Sequence, residues 1–241
     1  NRSGNRPSHE YAAWYYDRSI AVCRRAGFRK IRLRGDTDFT QTAHLDRWDE
    51  DDVTFVFGID ATATLYDMAA NLPKEAWKTL VRRQKYTVKT RPRRRPKNVK
   101  QQVVEQREFE DIRLVKEHVA EFRYRPAKCA KEYRVVVVWK ELAVHKGQQM
   151  LFDDERCFFY ITNVTEKPAE EIVFSANDRC GQENLLGVHK DDVRSLTAPL
   201  DNLYSNWAYM VMAMLAWSLK AWAALLLPET GRWAEKHREE K

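Results

Sequence analysis

The hydrophobic pattern of this chain changes period twice. Near the start it predicts a helix from roughly His9 to Arg25, with Ser8 as its N-cap and Gly27 as its stop. Ile31–Gly35 then predicts a short strand that leads directly into Asp36. Thr42 to Asp49 predicts a second helix. Val53–Ile59 (Val-Thr-Phe-Val-Phe-Gly-Ile) is a nearly unbroken run of β-formers, as expected of a central strand buried on both faces. Helix, strand, helix, strand with short connections is the syntax of an α/β fold.

The middle of the chain has another character. Met68 to Leu80 predicts a helix. Tyr133–Leu142 and Cys157–Val164 predict strands, joined through a polar, hairpin-like stretch around Gly147 and Asp153–Asp154. The block from Asp60 to Arg156 therefore has the composition of an insertion between two parts of an α/β core. From Ser175 onward the pattern is helical. One helix is expected from Ala176 to Ser195, Pro199 breaks it, and a long apolar helix follows from Ala208 to Leu227. That helix is long enough to span a bilayer, but Lys220 interrupts it and no second span accompanies it. A helix enclosed by other elements is the expectation, and no membrane partner.

Composition narrows the partners. Of 241 residues, 44% are hydrophobic and 32% charged, an ordinary globular balance, and the net charge of +7 favours a polyanion. The basic character concentrates between Arg82 and Lys100, where ten Lys or Arg and no acid occur in nineteen residues. Pro92 and Pro96 exclude a regular helix there. Arg82, Arg83, Lys85, Arg91, Arg93, Arg94, Arg95 and Lys97 are the candidate contacts to a nucleic-acid backbone; a solubilising loop is the alternative. The four scattered cysteines form no C-x-x-C pair and stand at no zinc-ligand spacing, which fits a reducing cytoplasm. No nucleophile elbow, P-loop or dinucleotide fingerprint occurs.

Two groups of residues carry candidate chemistry. Asp36 stands where α/β sheets place their site residues, at the carboxyl end of a strand; Asp38 is an alternative, Asp60 a third, and either of the first two has the option of capping the next helix. On a continuous helix after Ser175, Arg179, Glu183 and Lys190 fall within roughly 40° of one another at about 100° per residue. A carboxylate between two cations suits a metal beside a phosphodiester. A solvated Arg–Glu pair with an unrelated lysine has the same spacing.

In this order these residues resemble the DDE transposases of bacterial insertion sequences, in the group with a β-rich insertion before the last acid. Leu33-Arg34-Gly35-Asp36-Thr37-Asp38-Phe39 is similar to the family's strand bearing the second catalytic Asp. Asn1-Arg2-Ser3-Gly4-Asn5 resembles its R-P-G-N loop, and Phe159–Asn163 the strand that returns to the core. Arg179, Glu183 and Lys190 match the R-x3-E-x6-K part of its Tyr-Arg-Glu-Lys signature, with Ala176 where the Tyr stands.

The resemblance implies a partial ribonuclease-H-like core (1–60), an α+β insertion domain (61–165) and a helical carboxyl-terminal part (166–241). It implies Asp36 and Glu183 as catalytic metal ligands for two Mg²⁺ ions, and Arg179 and Lys190 as DNA contacts. The implied partners are terminal inverted repeats and target DNA, handled by a homodimer in a bacterial, nucleoid-associated setting. The family's first Asp belongs to a strand before the R-P-G-N loop. The expectation is a carboxyl-terminal portion with little or no strand cleavage by itself. A DNA-binding protein without catalysis, using the basic segment, is the alternative.

Overall fold

The computed structural model describes residues 7, 9–82, 110–146, 149–178, 180–227 and 230–231. They form a mixed α/β structure that divides into two compact units, one within Ser8–Asn177 and the other within Asp178–Lys241.

The larger unit is built on one six-stranded mixed sheet. Its strands are β1 (Ile31–Gly35), β2 (Val53–Ile59), β3 (Lys78–Thr79), β4 (Glu110–Tyr124), β5 (Tyr133–Lys146) and β6 (Gln149–Thr162), in spatial order β1-β2-β6-β5-β4-β3. β1 and β2 run parallel with Ile31 beside Val53 and Gly35 beside Phe57. All other pairs are antiparallel. The strands on either side of residue 60 thus belong to one sheet.

β2 is central because both its faces are apolar and both are covered. Phe55, Phe57 and Ile59 join Val135, Val137, Phe159 and Ile161 in one core, closed by Ile20 of α1 (Ala12–Arg25), Trp48 of α2 (Leu45–Glu50) and Leu65 of α3 (Ala63–Ala70). Val56 faces the other way, with Val136, Val138 and the Ile172–Val173 face of α4 (Ala169–Asn177). Phe55 and Phe57 are fully buried, and burial of a side chain of that size contributes about 2–3 kcal/mol.

Several boundaries differ from expectation. The first helix starts at Ala12, not His9; its N-cap is Tyr11 in the left-handed conformation (φ 62), with no side-chain cap bond. The proposed cap, Ser8, lies outside the described residues. Gly27 does take the left-handed conformation past the helix end (φ 88), as a stop glycine should. The expected helix from Met68 to Leu80 is instead α3, a 3-10 turn at Lys74–Ala76 and the short β3. Pro73 explains the break, because it offers no amide hydrogen to continue α3.

The helix expected over Ala176–Ser195 is also not continuous. α4 ends at Asn177, a second helix, α5, covers Cys180–Gly187, and a π-helical turn follows at Val188–Asp192. Gly187 stands where α5 gives way to the π-helical turn, and a glycine weakens helical continuity there. The last helix, α6 (Leu203–Leu225), is capped by Asn202, whose side-chain oxygen accepts from the Ser205 amide at 2.8 Å. Contrary to the expected enclosure, only Asn206, Ala221 and Ala224 on it are buried. By length and composition it is apolar enough to cross a membrane, with mean hydropathy 1.4.

Candidate active site at the end of the parallel strands

Strand β1 carries its site residue on a fixed frame. Its alternating arginines point to one face and reach the carboxyl end of α4: Arg34 Nη1 donates to the Ser175 carbonyl at 2.9 Å and Arg32 Nη1 to the Ser175 hydroxyl at 3.4 Å. Cations at a helix carboxyl end are favourable. On the other face, Leu33 enters the core.

Asp36 follows directly, in extended conformation (φ −82, ψ −172) and exposed to solvent. Its carbonyl accepts from the Phe39 amide at 3.2 Å, closing a 3-10 turn over Thr37–Phe39. The Thr40 hydroxyl contacts both the Asp36 carbonyl, at 3.1 Å, and the Gly58 carbonyl. One side chain therefore ties the turn after β1 to the neighbouring strand. Gly58 itself leaves room for this turn: a Cβ there would lie 3.2 Å from the Thr37 nitrogen and 3.5 Å from the Asp36 carbonyl carbon.

Tyr16 of α1 closes the other side. Its ring packs 5.4 Å from Trp48 and 5.6 Å from Phe57, and its hydroxyl stands 2.8 Å from where a Cβ on Gly35 would be. Burial, and then the negative charge of Asp36, push the Tyr16 phenol up to about 12. It stays protonated at neutral pH, a neutral hydroxyl beside the site.

Asp38 lies in the 3-10 turn and Asp60 at the end of β2, both exposed. Asp60 lines a cavity of about 320 Å³ together with Thr37, Thr40, Thr42, Thr62, Ile59 and Ile161. Asp36 has the qualities of one metal ligand, a solvent-facing carboxylate at a strand end offering hard oxygen donors to a hard cation. Among the described residues no group of three or more His, Cys, Asp or Glu side chains is placed to hold a metal ion.

The other site candidates belong to the carboxyl-terminal unit or the basic segment. Glu183 is on α5, its side chain outside the described residues, and Arg179 lies outside them altogether. Lys190 is exposed on the π-helical turn. The expectation that Arg179, Glu183 and Lys190 line one face of a single regular helix is corrected by that turn, because five-residue bonding, seen in Val193 N to Val188 O at 2.8 Å, changes the angular step. Ala176, at the signature's Tyr position, is buried on the α4 face that packs on the sheet.

Arg83, Lys85, Arg91, Arg93, Arg94, Arg95 and Lys97 lie outside the described residues. Arg82 is described, and its guanidinium is engaged by Glu117: Nε donates to Oε2 at 2.5 Å and Nη2 to Oε1 at 2.9 Å. Sequence reading also missed Tyr16, Thr40 and Gly58. Their roles depend on the β1–β2 register, which no local signal gives.

The geometry defines an α/β protein whose candidate site lies where two parallel strands end, the usual place for function in such sheets. The family model for transposase DDE domain group 1 matches residues 2–238. The chain belongs to that family. Its class of function is DNA transposition, with DNA as partner and divalent metal as the family's general cofactor. No curated protein and no solved structure matches the chain.

Proposed function

We propose that the chain serves in the metal-dependent strand cleavage and transfer of an insertion-sequence transposase, with Asp36 and Glu183 as carboxylate ligands of the catalytic Mg²⁺ ions. The observation that carries this reading is Asp36 at the carboxyl end of a strand paired in parallel, within a chain matched by the family over residues 2–238. The adjacent parallel strands β1 and β2 support a ribonuclease-H-like core. The antiparallel strands contributed by 61–165 support a β-rich insertion ahead of Glu183.

When bound, the metal supplies an activated water or 3′-hydroxyl and stabilises the oxygen that leaves the phosphodiester. The residues of the chain do the remainder. Asp36 and Glu183 present anionic oxygens to the cations. Arg179 and Lys190 hold phosphate oxygens, and the basic segment after Arg82, from Arg83 to Lys100, draws the DNA backbone towards the protein, Arg82 itself being held by Glu117. Thr40 and Gly58 keep the Asp36 turn against β2.

Binding of Mn²⁺, followed by electron paramagnetic resonance, tests the ligand assignment. Asp36→Asn and Glu183→Gln should each weaken Mn²⁺ binding by at least tenfold while leaving the circular dichroism spectrum unchanged. Binding of wild-type strength in both variants would refute the assignment. If DNA affinity then persisted, it would leave a DNA-binding protein without catalysis.

A further inference from the structure

The carboxyl-terminal unit holds a buried polar pair to which the proposed function gives no role. His189 is 6% exposed and Ser195 is fully buried. The His189 Nδ1 and Ser195 Oγ stand 2.8 Å apart, and Ser195 Oγ donates to the His189 carbonyl at 3.2 Å. The Leu196 amide reaches the same carbonyl at 3.3 Å. The imidazole ring lies 4.9 Å from the Trp217 ring of α6.

These bonds close a loop of unusual backbone. The π-helical turn runs over Val188–Asp192, and Arg194 takes a left-handed conformation at φ 56, unfavourable for a residue with a side chain. π-Turns and left-handed residues persist only where the surroundings hold them. The His189–Ser195 pair, seated on Trp217, provides that hold. An apolar pair of the same shape would fill the space at little cost; a hydrogen-bonded pair adds a direction and so a single geometry.

Lys190 is the residue this geometry presents. It is exposed, and among the described residues it makes no ion pair, although Asp191 and Asp192 follow it directly. In a loose loop those two carboxylates would be the nearest partners for its ammonium group. A fixed turn keeps the cation available to an external anion.

We propose that His189 and Ser195, braced by Trp217, are positioning residues that hold Lys190 ready for a DNA phosphate. This rests on the reading of Lys190 as a DNA contact. The test is the salt dependence of binding to a fluorescein-labelled DNA duplex by the full chain, measured by fluorescence anisotropy. Loss of one phosphate contact lowers the slope of log affinity against log salt by about 0.9. Lys190→Ala should lower it by that amount, Ser195→Ala should lower it similarly, and the double variant should lower it no further. His189→Asn keeps a nitrogen or oxygen facing Ser195 and should retain the wild-type slope.

A wild-type slope in Ser195→Ala, with a lowered slope in Lys190→Ala, overturns the positioning role alone. If Ser195→Ala does not fold, His189→Phe, which keeps a ring against Trp217 and loses the bond to Ser195, takes its place: a lowered slope there supports the positioning role and a wild-type slope overturns it. A wild-type slope in Lys190→Ala removes Lys190 from the DNA contacts, and the positioning role falls with it.

Discussion

Gly58 of β2 lies directly against the backbone of Asp36. The parallel register pairs Gly35 with Phe57, so the next step along both strands sets Asp36 beside Gly58. A Cβ at Gly58 would come within 3.2 Å of the Thr37 nitrogen and 3.5 Å of the Asp36 carbonyl carbon. The obstacle is backbone, which cannot rotate away as a side chain can. The position of the candidate ligand is therefore set partly by what the neighbouring strand lacks.

Gly58→Ala should destabilise the protein by about 1–3 kcal/mol, the usual range for an over-packed interior position. It should also move the turn that carries Asp36. Urea denaturation would show the first effect, and a shift of the Thr37 amide resonance beyond those of β5 and β6 would show the second. Unchanged stability with an unchanged Thr37 resonance would mean that the two strands separate without strain.

Thr40 provides a second, independent hold on the same turn. Its single hydroxyl proton is shared between the carbonyls of Asp36 and Gly58. Thr40→Val keeps the shape and removes the bond, which should cost about 1 kcal/mol of unfolding free energy, read as a lower denaturation midpoint. Thr40→Ser, which restores the hydroxyl, should recover most of that loss.

These contacts mark the limit of what the sequence reveals. β2 was legible because nearly every position from Val53 to Ile59 suits a strand buried on both faces. The place of Asp36 was legible because the short apolar run before it reads as a strand that ends there. Thr40 and Gly58 acquire meaning only through the register of two strands brought together by the fold. β4 was hidden for a related reason: Lys116, Glu117 and His118 interrupt its apolar positions, and Glu117 is nevertheless buried because Arg82, 35 residues earlier, comes to meet it. The break between α4 and α5 escaped a reading that carried one helical period through Gly181 and Gly187.

Asp46 and Tyr133 should give the fold part of its acid sensitivity. Burial pushes the Asp46 carboxyl up, but the Tyr133 hydroxyl at 2.6 Å and the Ala130 amide at 2.6 Å, with Lys131, outweigh it and hold the group below the usual carboxylate range. A folded value below the unfolded one stabilises above the unfolded value of about 3.9 and loses that contribution as pH falls through the folded value. Tyr133→Phe should lower stability by about 1 kcal/mol at neutral pH. It should also flatten the loss of stability below pH about 4, as pH-dependent thermal melts would show. Melts that steepen in acid would contradict the assignment.

Glu117 makes the strongest demand on its partners. It is 5% exposed on β4, held by Arg82 and, at 3.3 Å, by Lys140 of β5. Burial raises its carboxyl, and the two cations, Arg82 foremost, bring it below the usual range. Removing one partner leaves a buried charge half compensated, which in an enclosed site costs about 3–5 kcal/mol. Arg82 is 40% exposed, so solvent screening should reduce the loss in Arg82→Ala to about 2 kcal/mol. Glu117 would then lose its depressed value, and stability would no longer fall so steeply as pH drops below the ordinary glutamate range. Replacing Glu117 by Gln together with Arg82→Ala should recover part of the loss, because the uncompensated charge is gone. A double variant less stable than Arg82→Ala alone would show that the pair contributes through packing rather than charge.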